Sequence, residues 1–253
     1  MELTDKVALV TGAGRGIGRA IAFGLARAGA RLAVNDIDSD TARATASDLT
    51  EAGFDAAPFP ADIADPVGVA KTLDGVLARW RRLDILVNNA GVEPHNTLLD
   101  LSLADWQRTL EVNLTAPFLT SQAAGRIMKE LGGGVIVNIA SIAGRAFGLR
   151  NRAAYVASKS GLLGFTRECA REFAAYNIRV NAVCPGVIVT EMTAHLRHGP
   201  EGERMVKRWL EDIPQARLGE PGDVVGLVVF LCTDSARYIT GQAINVDGGK
   251  VMS

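Results

Sequence analysis

The 253-residue chain is poor in cysteine, with only Cys169, Cys184 and Cys232. They are odd in number and far apart, so no disulfide framework is expected and a reducing compartment fits. Small buried side chains are the plain expectation for all three. Net charge is also lacking: 27 Lys plus Arg against 28 Asp plus Glu gives −1. That balance argues against a partner bound by phosphate neutralisation, and so against nucleic acid. The longest apolar stretches, such as 227–232, fall short of the ~18 residues of a membrane helix, so no membrane partner is expected. Met1 to Lys6 leads directly toward a strand-like run, so no secretory signal is expected and a cytoplasmic location is the default. No linker-like, low-complexity or solenoid-type segment divides the chain, which reads as one domain over 1–253.

What the chain does have is 48% hydrophobic residues and a mean hydropathy of +0.14, which argue against disorder. At this length it can bury a core without disulfides or a metal. Short apolar runs alternate with helical segments throughout. Val7–Val10 has the continuous apolar pattern of a strand buried on both faces. A helix follows over about 16–28, with Ile17, Ile21 and Leu25 on one side and Gly29 as its stop. Further strands are expected at 31–36, 56–61, 85–88, 135–139, 178–183 and 243–246. Helices are expected at 41–52, 67–80, 154–174 and 223–232, with a long helical region at 103–131 that Pro117 should bend. The segment 187–217 is the most irregular and reads as a loop with one or two helices, including 205–210. Seven strands with helical crossovers imply an α/β fold: a doubly wound, Rossmann-type parallel sheet covered on both faces.

The first strand-to-helix turn reads Thr11-Gly12-Ala13-Gly14-Arg15-Gly16-Ile17-Gly18. Glycines there let the backbone approach a pyrophosphate at a helix N-terminus. Asp36 ends the second strand, where an acid can accept hydrogen bonds from adenosine ribose hydroxyls and would repel a 2′-phosphate. This favours NAD over NADP, although Arg15 in the loop could greet a 2′-phosphate. Farther on, Tyr155 and Lys159 stand four apart, on one face of a helix. A phenol of reference pKa near 10 is a poor base at neutral pH, and a neighbouring ammonium favours its anion.

In order, T-G-x-x-x-G-x-G, Asn88-Asn89-Ala90-Gly91, Asn113, Ser141, Tyr155-x-x-x-Lys159 and Pro185-Gly186-x-x-x-Thr190 resemble the short-chain dehydrogenase/reductase family in its single-domain form. The likeness runs from Lys6 to the closing Gly241–Gly249. It implies catalytic roles for four residues. Tyr155 would be the acid/base that exchanges a proton with the substrate oxygen, and Ser141 would position that oxygen. Lys159 would bind the nicotinamide ribose and lower the Tyr155 pKa, and Asn113 would hold a water of a proton relay. It also implies cofactor contacts from Gly12, Arg15, Gly16, Ile17 and Gly18, from Asp36, from Asp62 and Ile63 at the adenine, and from Asn89 at its ribose. Ile188 and Thr190 would hold the nicotinamide carboxamide. The likeness further implies a homotetramer, with the helical regions 103–131 and 154–174 pairing across two-fold axes.

The activity implied is NAD-dependent hydride transfer between nicotinamide and a small-molecule secondary alcohol or ketone. Residues 187–217 would be a substrate lid. Two alternatives stand beside it. A 3-oxoacyl-thioester reductase is disfavoured by Asp36, because that role usually runs on NADPH. A non-catalytic NAD-binding sensor or scaffold would have no need of the acid/base set. Glu93, His95, Asn151 and Arg152 flank the motifs, and their polarity hints at a hydroxylated or carboxylated substrate. Lys129 with Arg145, Arg150 and Arg152 lacks the density of a docking patch for a carrier protein. His195-Leu196-Arg197-His198, near Glu191 and Glu201, invites a metal reading, but no third ligand is placed and no metal is expected.

Overall fold

The structure, a computed structural model, describes residues 2–145, 150–194 and 197–252. Seven parallel strands form one sheet: β1 Val7–Val10, β2 Arg31–Val34, β3 Ala56–Pro58, β4 Ile85–Asn88, β5 Gly134–Ile139, β6 Ile178–Pro185 and β7 Ala243–Val246. Their spatial order is β3-β2-β1-β4-β5-β6-β7. The chain therefore builds outward from β1 to β3, returns to lay β4 beside β1, and continues the other way. Beyond the C-terminal ends of β1 and β4 the crossover loops diverge, which is where an open α/β sheet receives ligands.

Alternation along the strands feeds two cores. Ala8 and Val10 pack toward helices α1 (Gly16–Arg27), α2 (Ser39–Glu51) and α8 (Pro221–Cys232). Val7 and Leu9 face the other side, with α3 (Pro66–Trp80), α5 (Ala116–Glu130) and α6 (Ala153–Phe173). Two-sided burial explains why the strands carry unbroken apolar runs. Local capping sets the helix starts. Asp38 accepts from the Asp40 and Thr41 amides and opens α2 at Ser39, two residues before the expected start. Asp65 caps α3 ahead of Pro66, and Ser102 caps α4 (Leu103–Leu110). All three cysteines are buried and free.

Two segments differ from expectation. The region around Pro117 is not simply bent. Between α4 and α5 lies one π-helical turn, Glu111–Thr115, in which the Ala116 amide bonds to the Glu111 carbonyl five residues back. A proline cannot donate its amide, and its ring crowds the carbonyl four residues earlier, so the helix widens just before it. Asn113 sits in that turn. In the irregular 187–217 segment, the helix is longer than expected: α7 spans Gly199–Asp212. Among the described residues, no helix is long and apolar enough to cross a membrane.

Candidate active site

The loop between β1 and α1 is held from behind by β4. The Thr11 hydroxyl accepts from the amides of Asn89 (3.0 Å) and Ala90 (3.1 Å). Asn89 Nδ2 donates to the carbonyls of Thr11 (2.9 Å) and Gly12 (3.0 Å), so its amide donors serve the loop. Gly18 is packed so tightly that a Cβ would lie 2.2 Å from the Gly12 oxygen and 2.4 Å from Asn89 Nδ2. Gly16, by contrast, has φ +54° and its nearest neighbour to a Cβ, Thr190 Cγ2, would be 3.5 Å away. Helix α1 differs from α2 and α3 in that its N-cap, Arg15, makes no side-chain cap, and its first turn holds no acid where that of α2 holds Asp40. Its leading amides are therefore open to an external anion. They border a cavity of about 620 Å3 lined by Gly12, Arg15, Gly16, Ile17 and Gly18.

The same cavity runs past the ends of β2 and β3. Asp36 is buried, and backbone amides fix its carboxylate: Oδ2 accepts from Gly14 (2.9 Å) and Oδ1 from Asp38 (3.1 Å). Asp62 accepts from the Ala64 amide (2.9 Å) and from Arg108 Nη2 (3.0 Å). Ile63 is buried beside it. Asn35 donates to the carbonyls of Phe59 and Ala61, while its Oδ1 is a buried acceptor without a partner. Asn35, Asp36, Asp62 and Ile63 all line the cavity. An anion-ready helix end, a fixed acid and a spare acceptor along one cleft fit a dinucleotide, with phosphates at α1 and the adenosine at 35–36 and 61–63.

At the other end stand Ser141, Tyr155 and Lys159. Ser141 follows β5, and its Oγ accepts from the Ala143 amide (3.1 Å), which caps a short 3₁₀ turn and fixes the rotamer. Tyr155 and Lys159 lie one turn apart on α6, with Lys159 Nζ 5.8 Å from the phenol ring centre. Nζ also donates to the Ile139 carbonyl (2.9 Å). Burial, and next the negative charge of Glu93, push the Tyr155 phenol well above 10, against the hydrogen bond with Ser141 and the charge of Arg152. Burial pulls the Lys159 ammonium down to about 8, with Glu93 acting the other way. The phenol is thus pushed up on balance, where the spacing to Lys159 led one to expect a lowering. Asn113 bonds both ways with the Val92 backbone (Oδ1 from its amide, Nδ2 to its carbonyl, each 2.9 Å) and donates to Ser158 (3.1 Å). It joins the β4 loop to α6. Beneath the site, Asn88 donates to Ser121 and Asn138 and accepts from Thr120 in a buried network that ties the central strands to α5.

Ile188 is buried and pairs with Gly219, and with Thr190 it lines the cavity. Arg108, Trp209 and Lys250 also line it, as does Asn35, and the sequence reading passed over them. No motif marks any of them; Asn35 stands beside Asp36 just after β2, and the folding of α4, α7 and the C-terminal tail over the cleft brings in the other three. Lys250 ion-pairs with Asp212 of α7 at 3.1 Å. Of the flanking residues, Glu93 and Arg152 form an ion pair at 2.8 Å, each side chain at most a tenth exposed. Arg152 therefore belongs to the cavity and not to a surface basic cluster. Among the described residues, no group of three or more His, Cys, Asp and Glu could hold a metal; His195 and Leu196 lie outside those residues.

The family profile described as enoyl-(acyl carrier protein) reductase matches residues 12–250. A 3-oxoacyl-[acyl-carrier-protein] reductase of Synechocystis sp. is 43% identical, over 99% of this chain and 98% of that protein. A D-threitol dehydrogenase of Mycolicibacterium smegmatis is 41% identical, over 98% of this chain and 94% of its own. A solved structure of a candidate NAD(P)-dependent gluconate 5-dehydrogenase from Beutenbergia cavernae, with NADP at low occupancy, superposes with TM-score 0.93. It is 42% identical and covers 100% of this chain and 99% of its own.

Proposed function

The chain belongs to the short-chain dehydrogenase/reductase family, and we propose that it is an NAD-linked dehydrogenase of a small polar secondary alcohol. The observation that carries this reading is the juxtaposition of the hydrogen-bonded Tyr155 and Ser141 with buried Lys159, at one end of a cleft whose other end holds buried Asp36. When bound, the nicotinamide would supply the hydride acceptor or donor. This chain's residues handle the proton and the geometry. Tyr155 exchanges a proton with the substrate oxygen, and the Ser141 hydroxyl holds that oxygen in line. Lys159 binds the nicotinamide ribose and supplies the positive charge that a phenolate needs. Asn113 clasps the loop at Val92 to α6 and anchors the proton relay. Ile188 and Thr190 orient the carboxamide, and α7 closes over the substrate to exclude water.

Asp36 supports NAD over NADP because two backbone amides fix its carboxylate next to where a 2′-phosphate would sit. The Beutenbergia cavernae protein holds NADP at low occupancy, so both cofactors enter the test. Reduction of a 3-oxoacyl thioester is the second reading, favoured by the description of the Synechocystis relative. A purified sample assayed with a panel of secondary alcohols and both cofactors separates them. The expected result is alcohol oxidation with kcat/KM higher for NAD. Preference for NADP, with turnover of 3-oxoacyl thioesters only, would overturn the proposal.

A further inference from the structure

We propose that Glu93, oriented by Arg152, is the specificity residue of this site, and that the substrate is an uncharged polyol or sugar in which a free hydroxyl neighbours the reacting carbinol. The inference rests on the secondary-alcohol reading above and deepens it.

The ion pair joins Glu93 Oε1 to Arg152 Nε at 2.8 Å, with the side chains 7% and 10% exposed. Both residues line the cavity together with Ser141 and Tyr155. Removing two charges from water is costly, and only close pairing offsets that cost. Neither proton transfer by Tyr155 nor positioning by Ser141 needs this pair. The fold nonetheless fixes it from several directions. Arg152 is the residue from which α6 springs, three positions before Tyr155. Arg152 Nε also donates to His95 Nε2 at 3.2 Å, and the Asn96 amide donates to the Asn151 carbonyl at 3.1 Å, so the two loops are stapled. Val92, the neighbour of Glu93, is clasped by Asn113. The negative charge of Glu93 is felt at both Tyr155 and Lys159, which places it within electrostatic reach of the reacting centre.

A carboxylate in a cavity wall accepts hydrogen bonds and donates none. It rewards a substrate hydroxyl and offers nothing to an alkyl chain or to a carboxylate, neither of which can donate to it. Arg152 would attract an anion if it stood alone, but Glu93 already neutralises it. The pair therefore discriminates against hydroxy acids and against acyl chains, and selects a neutral molecule with a second hydroxyl. A site built to bond a substrate hydroxyl rejects the analogue lacking it far more strongly than an apolar pocket rejects a missing methylene, because its own polar group is left unpaired.

The test compares kcat/KM with NAD for butane-2,3-diol, butan-2-ol and 3-hydroxybutyrate. The wild type should favour the diol over butan-2-ol by about tenfold or more, and over the acid by at least as much. In Glu93→Leu/Arg152→Met, which removes both charges together and leaves neither ion stranded, the diol-to-butanol ratio should fall close to one. Glu93→Gln gives a second reading, with a ratio between those of the wild type and the double variant. NADH binding, followed by fluorescence, verifies folding in each. A structural staple would lower all three substrates alike and leave the ratio unmoved. A wild-type ratio near one, or a ratio that survives the double substitution, overturns the inference. Turnover of 3-oxoacyl thioesters with no alcohol oxidised at all would instead sink the parent reading.

Discussion

Lys159 is an expensive residue to fold around, and its replacement makes a quantitative test. The ammonium is buried, and its pKa falls from 10.5 to about 8. That difference corresponds to about 3 kcal/mol against the folded state wherever the amine is protonated in both folded and unfolded chains. Lys159→Met removes the penalty and keeps most of the apolar stem. It also forfeits the bond to the Ile139 carbonyl, worth about 1 kcal/mol. The cofactor-free variant should therefore be more stable than the wild type by about 2 kcal/mol at pH 7. A depressed folded-state pKa in a base means that the unfolded chain binds more protons between 8 and 10.5. Wild-type stability then gains on the variant as pH rises through that window. By pH 10 the remaining penalty is about 1 kcal/mol and the two should be nearly equal. Urea denaturation of both proteins at pH 7, 8.5 and 10, without cofactor, reads the difference directly. A variant less stable than the wild type at pH 7, or a gap that ignores pH, refutes the reasoning. The same substitution should abolish turnover, so the cost of burying Lys159 is retained for function.

Gly18→Ala should weaken NADH binding at least about tenfold and destabilise the fold by about 2 kcal/mol, because the new Cβ would meet the Gly12 carbonyl oxygen at 2.2 Å and neither backbone can yield; fluorescence titration and urea melts measure both, and wild-type binding would contradict the packing argument. With the Tyr155 phenol pushed above 10, the proton-bearing form prevails throughout the neutral range, so kcat/KM for ketone reduction should stay level from pH 6 to 9 while that for alcohol oxidation, which needs the phenolate, should climb across the same range. Oxidation that does not vary with pH over that range would count against Tyr155 as the proton acceptor.

Strand positions, the parallel sheet and the glycine loop were legible because each has a local cause: two-sided burial in β1 and β4, and a turn that admits no Cβ at Gly18. Asp36, Ser141, Tyr155 and Lys159 could be picked out because their spacing follows strand ends and one helical turn. The π turn at Glu111–Thr115 was harder. Pro117 signalled a disturbance, but whether a helix bends or widens depends on what packs around it, here the bonds from Asn113 to Val92 and Ser158. The surroundings of the Tyr155 phenol were hidden for a similar reason: sequence spacing shows the cation one turn away, but not the burial or the carboxylate of Glu93 that push its pKa up. The Glu93–Arg152 pair joins residues 59 positions apart, and Trp209 and Lys250 reach the cleft only through the docking of α7 and the tail. No periodicity records such contacts.

The account stands or falls on the Tyr155 hydroxyl. Tyr155→Phe keeps the ring and its packing and removes one oxygen, so NADH should bind within about threefold of the wild type while kcat for oxidation of a secondary alcohol drops by about a thousandfold or more. Turnover close to that of the wild type, with NADH still bound, would contradict the assignment of this phenol as the proton-transferring group.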